Sequence, residues 1–438
     1  MPKSQLEWKV EWNEPKKLPV LTERLHKEGL GREDLIAILE SRNEELVHDL
    51  CGQRYSRVET RTYRRAGTRK RVLGTRFGKI EVKVNRIVDT STGISFVPLW
   101  SNVLILSRRV YQEDVLCIAG NFAGRMTYRN TNVELSRVVE GAPSPHTINR
   151  AVIEYGQELN HEILNRELTA QTHQPDGTKL HAQSGKNHNV NLVLATCPGH
   201  RPRLRSLTVG KGWDEHIPAL EKTSFQDANG HATPPTVVSD MERGLASLLT
   251  PLNGFWQPCL VHVPRTLGFE LWRDGVKDLL ERRGFIQTAV GLVRHLKNSL
   301  ELHLPKEEDD AIVHRIKQTQ KEFRRLSTNL FNDGKRKAAS FLRRISNAVT
   351  TFAQLALQGI TIPWHNNVVE RLMGEVSKRC KHKWMSWTSH GAQALLTLII
   401  VRTVEPDTHD AFWNRKLFGN ACNLPNLGVS INRLVREC

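Results

Sequence analysis

Apolar residues return along this chain in two rhythms, and the rhythm changes several times. Residues 21–55 read as two short helices with Gly29 and Gly31 between them. From Ile80 the spacing becomes strict alternation, Ile80, Val82 and Val84 against Glu81, Lys83 and Asn85, which predicts a half-buried strand. Phe77-Gly78-Lys79 joins it to an earlier extended run as a hairpin. Residues 106–160 turn helical, with a Gly/Pro turn in which Ser144 stands ahead of Pro145, a capped helix start. Three successive strands follow, over 172–182, 188–197 and 201–210; then a helix over 213–222, a short strand ending on Asp240, a helix over 241–250 and a strand over 255–263. Residues 265–360 are helical and polar. A helix then carries Val368, Val369, Leu372 and Val376 on one stripe, and an apolar helix over 391–404 should pack on a sheet.

The order from Thr169 onward, three strands, helix, strand, helix, strand, is that of an RNase H-like core. The fold class expected is multidomain α/β: an RNase H-like catalytic core with an all-α insertion, preceded by a basic, mostly helical DNA-binding region. The divisions expected are an arm (1–20), a basic region with a β-hairpin (21–100), a helix-turn-helix-like region (101–165), the catalytic domain (166–264 and 361–404), the insertion (265–360) and a C-terminal tail (405–438).

Composition sharpens the choice of partner. The 438 residues carry a net charge of +17, which folding does not require and which favours a polyanion, nucleic acid first. The longest apolar run, Ala394 to Val401, is far short of the ~20 residues of a spanning helix. No apolar signal core opens the chain, and the seven cysteines form no Cys-x-x-Cys pair. A reduced, cytoplasmic, nucleoid-associated protein is expected, with no membrane partner.

Three acids stand at the candidate catalytic positions, each with an ordinary alternative. Asp176 sits in Pro-Asp-Gly, a turn signal. Asp240 precedes a helix, where Ser239 and Glu242 fit a capping box. Glu370 follows Asn367 by three, so Asn367 can cap while Glu370 reaches back. In the expected topology, however, all three meet at one sheet edge, where carboxylates repel unless a cation sits among them. Mg²⁺ takes oxygen ligands, and two such ions can hold a phosphodiester for in-line displacement. Glu370 points away from the apolar stripe of its helix, and Lys378, Arg379 and Lys381 follow it as candidate phosphate contacts.

With these residues the chain resembles a DDE transposase of prokaryotic insertion sequences, of the Mutator-like class. The resemblance rests on four motifs: Pro-Asp-Gly around Asp176, the run 237–245 around Asp240, the run 257–265 with Cys259 and His262, and the run 365–379 with His365, Asn367, Glu370 and Arg371. The basic run 68–87 is similar as well. The resemblance covers roughly residues 50–400. It implies Asp176, Asp240 and Glu370 as ligands of Mg²⁺ or Mn²⁺, two per active site. It also implies binding to inverted terminal repeats as a homodimer or higher multimer, cleavage at the ends, and joining of 3′-hydroxyls to target DNA. A decayed or co-opted transposase that binds DNA without cutting is the alternative; a plain RNase H-type nuclease would not need the basic N-terminal sequence.

Two side issues stay open in the sequence. Cys259 and His262 form half of a tetrahedral zinc site or simply pack or hydrogen-bond near the active site, with His262 also a candidate DNA contact. Trp364 and His365 either contact a terminal base or brace the helix start. For DNA, Arg54 to Arg71 holds eight Arg or Lys and one Glu. Within it Arg54, Arg64, Arg65, Arg69, Lys70 and Arg71 are candidate phosphate contacts, and Thr147, Asn149 and Arg150 candidate base readers, the competing interpretation being a helical hairpin in a core.

Overall fold

The computed structural model describes residues 6–10, 17–52, 62–106, 108–227, 229–381, 386–419 and 431–435. It is a mixed α/β chain that divides into two units, residues 1–155 with 407–438, and residues 156–406. Among the described residues no helix is long and apolar enough to cross a membrane, and the described cysteines 51, 117, 197, 259 and 380 are all free.

In the first unit, helices Leu18–Lys27 and Arg32–Cys51 lie against a hairpin of strands Tyr63–Thr75 and Gly78–Asp89. The alternation around Ile80 does what period-two patterning requires: Ile80, Val82 and Val84 are buried with Leu21, Leu25, Leu35 and Leu39. Helices Tyr128–Ser136 and Pro145–Asn165 follow, and the Thr147 amide donates to Ser144 Oγ, capping the second. The C-terminal stretch expected as a tail holds a helix, Pro406–Phe418. Its Phe412 and Trp413 are buried, with Trp413 edge-on to Tyr155 at 5.4 Å. Aromatic side chains of that size repay ordering a chain end.

The second unit is built on a five-stranded sheet: β1 Thr172–His181, β2 Asn187–Thr196, β3 Arg203–Val209, β4 Thr236–Ser239 and β5 Phe255–Pro258. The spatial order is β5-β4-β1-β2-β3. β1, β2 and β3 form an antiparallel meander, and β4 runs parallel to both β1 and β5. The near-continuous burial of β2 and β3 fits strands covered on both faces, though β3 buries Arg205, Ser206 and Thr208 among its apolar residues.

Two sequence expectations about these elements need correction. Residues 213–222 form a 3₁₀ turn, Trp213–His216, and only a short helix, Ile217–Leu220. The strand expected over 255–263 stops at Pro258, since Pro cannot continue a ladder as donor, and His262 already opens a helix.

Around the sheet run helices α1 Ala246–Leu252, α2 His262–Arg273, α3 Leu279–His303, α4 Asp309–Asn332, α5 Arg336–Ile345, α6 Thr351–Ala356, α7 Asn367–Cys380 and α8 Ser389–Val404. The first, expected to begin at Met241, begins late, after a 3₁₀ turn at 243–245. Helices α2 to α6 share one core through Leu267, Leu296, Phe323, Leu342 and Phe352, which reaches the sheet at Val238 and Trp256. Helix α7 packs on β1 and α8 on β3. A fully buried guanidinium, Arg205 on β3, donates to the carbonyls of Ala219, Leu164 and Arg166, gathering two helix ends at once.

Candidate active site

Asp176 lies in the middle of β1, opposite Leu192 of β2, so the turn reading of Pro-Asp-Gly does not hold. Strand pairing on both sides overrides the local turn preference. Asp240 follows the last residue of β4. The register fixes the relation between them: Val237 of β4 pairs in parallel with His173 of β1, and each Asp stands three residues further along. The two carboxylates therefore leave adjacent parallel strands, ~4.8 Å apart, at the same level. Gly177 follows Asp176 and is crowded: a Cβ there would sit 3.3 Å from Asn191 Oδ1 and 3.4 Å from Glu242 Oε2.

Glu370 reaches this edge from the first turn of α7. Its helix buries Val369, Leu372, Met373, Val376 and Cys380, which turns Glu370 off the apolar stripe. Asn366, rather than Asn367, stands at the cap position, and neither closes a capping box. The Glu370 carboxylate instead accepts from His262 Nε2 at 2.5 Å. His262 opens α2, and the loop before it is tied down: the Cys259 amide donates to Ser239 O at 2.6 Å and the Leu260 amide to Trp364 O at 2.9 Å. The segments around Asp240, His262 and Glu370 are thus cross-linked through backbone.

Electrostatics records the convergence. Burial pushes the Asp176 carboxyl up to about 7, and the charges of Asp240 and Glu370 push the same way, against a backbone hydrogen bond from Gly177 and the nearby His262. A fourth acid belongs to the group. Burial, and then Asp240, raise Glu242, which takes a hydrogen bond from Trp213 and feels Lys179. Sequence reading assigned Glu242 only to a cap. The available signal was its position two residues past Asp240, on a segment too irregular for a helical face to be drawn.

The donors near Glu370 are of two kinds. Cys259 Sγ, a His262 ring nitrogen and a Glu370 carboxylate oxygen lie within 4.8 Å of one another. Cys259 is fully buried, and burial raises its thiol above the ordinary range. The half-site seen in sequence therefore gains a third donor from a distant helix.

The remaining expected residues divide. Lys381 bonds Thr178 Oγ1, two residues beyond Asp176 on β1. Lys378 is exposed but paired with Glu375 at 2.7 Å. Arg371 is exposed and Arg379 half-buried. Trp364 packs against the helical core with Lys297 over its ring at 4.9 Å, which favours the bracing role, and His365 sits edge-on to it.

In the first unit, Arg54 lies outside the described residues. Arg65 pairs with Glu44 and Lys70 with Glu81. Arg71 is held by the carbonyl of Leu106 and stacks on Trp100, and burial lowers its basicity. Arg64 and Arg69 point to solvent and form no ion pair among the described residues. Thr147 and Arg150 line a cavity of about 330 Å³ with Arg108, Arg109 and Tyr111, while Asn149 is half-buried. No protein family matches this chain, and no curated protein matches it.

Proposed function

We propose that the chain is a metal-dependent DNA transposase of the DDE type, similar to the Mutator-like enzymes of prokaryotic insertion sequences, with an RNase H-like core. One observation carries the reading: Asp176 is driven up to about 7 by burial together with Asp240 and Glu370. Carboxylates brought this close hold a proton or a cation. A meander flanked by two parallel strands, with the acids on β1, after β4 and on α7, supports the same reading.

Asp176, Asp240 and Glu370 would offer carboxylate oxygens, the ligands a hard divalent cation takes. Mg²⁺ or Mn²⁺ held there supplies Lewis-acid activation of a phosphodiester. The protein's own groups prepare that chemistry. His262 holds one Glu370 oxygen in place. Lys381 offers a cation beside β1 to a substrate phosphate. DNA ends, and binding as a multimer, belong to the same reading, with Arg64 and Arg69 as phosphate contacts of the first unit.

The test is cleavage of DNA carrying the flanking repeats of the gene. Asp176→Ala, Asp240→Ala and Glu370→Ala should each abolish cutting and leave duplex binding intact. A folded Glu370→Ala chain that cuts normally ends the reading, as does cutting that persists in EDTA. A second reading has its own support: the Cys259, His262 and Glu370 trio suits Zn²⁺, whose preferred ligands are thiolate and imidazole. Zinc retained by the purified chain and lost in Cys259→Ser would favour it.

A further inference from the structure

We propose that helix α5 is a ridge that tracks a nucleic-acid backbone toward Asp240; this rests on the reading of the acid cluster as a DNA-cutting site. The helix has two unlike faces. Ala338, Ala339, Phe341, Leu342 and Ile345 are buried, while Arg336, Lys337, Ser340, Arg343 and Arg344 are exposed. Four cations on ten residues are more than solubility requires of one short helix.

An open cavity lies along each flank of this ridge. The one toward α2 has about 540 Å³ and is lined by Arg273, Arg336, Lys337 and Arg344. Its one acid, Glu270, is already paired with Arg273 at 3.0 Å. The one toward α4 has about 640 Å³. Arg324 and Arg343 line it with the hydroxyls of Ser327, Thr328 and Ser340, and no acid does. Lys337 Nζ donates to Arg273 O at 2.8 Å, Ser327 Oγ to Ala339 O at 2.7 Å and Thr328 Oγ1 to Arg324 O at 3.0 Å, so the Arg336 and Arg343 guanidiniums are the donors best placed for phosphate oxygens, with the Lys337 charge beside them. Arg336 and Arg343 form no ion pair among the described residues.

The start of α5 is not what attracts the ligand. Asp274 already accepts from the amides of Lys337 at 3.1 Å and Ala338 at 2.8 Å. Recognition falls to the side chains, and the other end of the ridge ties it to the acids. Arg344 Nη2 donates to Met241 O at 3.2 Å, on the residue that follows Asp240. From Arg336 to Arg344 the helix rises ~12 Å. At ~3.4 Å per nucleotide along one strand, the ridge spans about three or four nucleotides leading to the site. Contacts of this kind carry no sequence information, so the grip is on any duplex.

The experiment is a salt titration of the full-length chain on duplex DNA without the repeats, comparing wild type with the triple variant Arg336→Ala, Lys337→Ala, Arg343→Ala. Each lost phosphate contact lowers the slope of log affinity against log salt by about 0.9, so the triple variant should lose about 2 to 3. The double variant Arg336→Lys, Arg343→Lys keeps the charge and should keep most of the slope. Lys306→Ala, exposed between α3 and α4 and outside the lining of both cavities, should change nothing. An unaltered slope in a folded triple variant overturns the ridge, even if wild type cuts DNA normally. A triple variant that changes oligomeric state with the slope unaltered also overturns it, and assigns the face to a second copy. The earlier reading fails separately, through acid variants that still cut.

Discussion

His262 Nε2 donates to Glu370 Oε1 at 2.5 Å, joining the first residue of α2 to the first turn of α7 across more than a hundred residues of sequence. Glu370 is thereby held by a group that is not itself one of the three acids. Removing the ring should loosen the carboxylate without unfolding the chain. His262→Ala should raise the Mg²⁺ concentration for half-maximal cleavage about 10- to 100-fold, the usual cost of losing a partner that orients a ligand. His262→Gln, which can still donate, should recover much of it. Identical metal dependence in all three chains would show that the bond does not position Glu370.

The raised carboxyl of Asp176 makes a prediction about pH. In the folded chain without metal the group holds its proton up to about 7, whereas unfolded it releases it near 3.8. The stability this contributes is present below the unfolded value and is lost as pH rises toward and through 7, at up to ~1.4 kcal/mol per pH unit. Asp176→Asn cannot ionise and should not show this loss. Thermal unfolding in EDTA at pH 5 and pH 8 should therefore separate the two chains more at pH 8, with Asn the more stable. Added Mg²⁺ should narrow the gap by stabilising wild type. Parallel pH profiles would mean that Asp176 is not strained by its neighbours.

The buried guanidinium of Arg205 predicts a stability effect far from the acids. It satisfies carbonyls at the end of the helix Pro145–Asn165 and at Ala219, and burial pulls its own pKa down to about 10. Arg205→Met fills similar space but leaves those acceptors unpaired. A loss of about 3–5 kcal/mol in denaturant unfolding is expected. A loss below about 1 kcal/mol would mean that water replaces the guanidinium.

Gly156 predicts a sign. On an isolated helix Gly→Ala stabilises by about 1 kcal/mol. Here a Cβ would sit 2.2 Å from Ala394 O and 2.7 Å from Ala394 Cα, backbone atoms that cannot swing aside. Gly156→Ala should destabilise, by about 1–3 kcal/mol or more. A variant more stable than wild type would show that this helix and α8 can separate at no cost.

These outcomes also mark what could be read from residues alone. The alternation at Ile80, Val82 and Val84 and the stripe of α7 were legible because period-two and period-3.6 burial is a one-dimensional signal. The approximate positions of β1 to β4 were legible for the same reason. At Pro-Asp-Gly the strand read over 172–182 held against the turn alternative, because a turn signal is local while pairing of β1 with strands on both sides is not. Glu242 and the third donor beside Cys259 and His262 were hidden because three-dimensional neighbours leave no spacing rule. Arg71 looked like a phosphate contact, yet nothing in its sequence neighbours announces the Trp100 ring or the Leu106 carbonyl that hold it.

The backbone ties between the segments of Asp240, His262 and Glu370 also have a kinetic side. Asp176 and Asp240 come together when two neighbouring strands pair, whereas Glu370 must wait until helices α2 to α6 have closed the long excursion between β5 and α7. Loop-closure entropy and the non-local character of that docking make it a late event in folding. A chain stalled with a half-formed helical segment would already carry its two aspartates but not the glutamate. The full set of three acids is therefore assembled only with completion of the fold, and under the proposed cutting function a nascent or damaged molecule stays chemically silent.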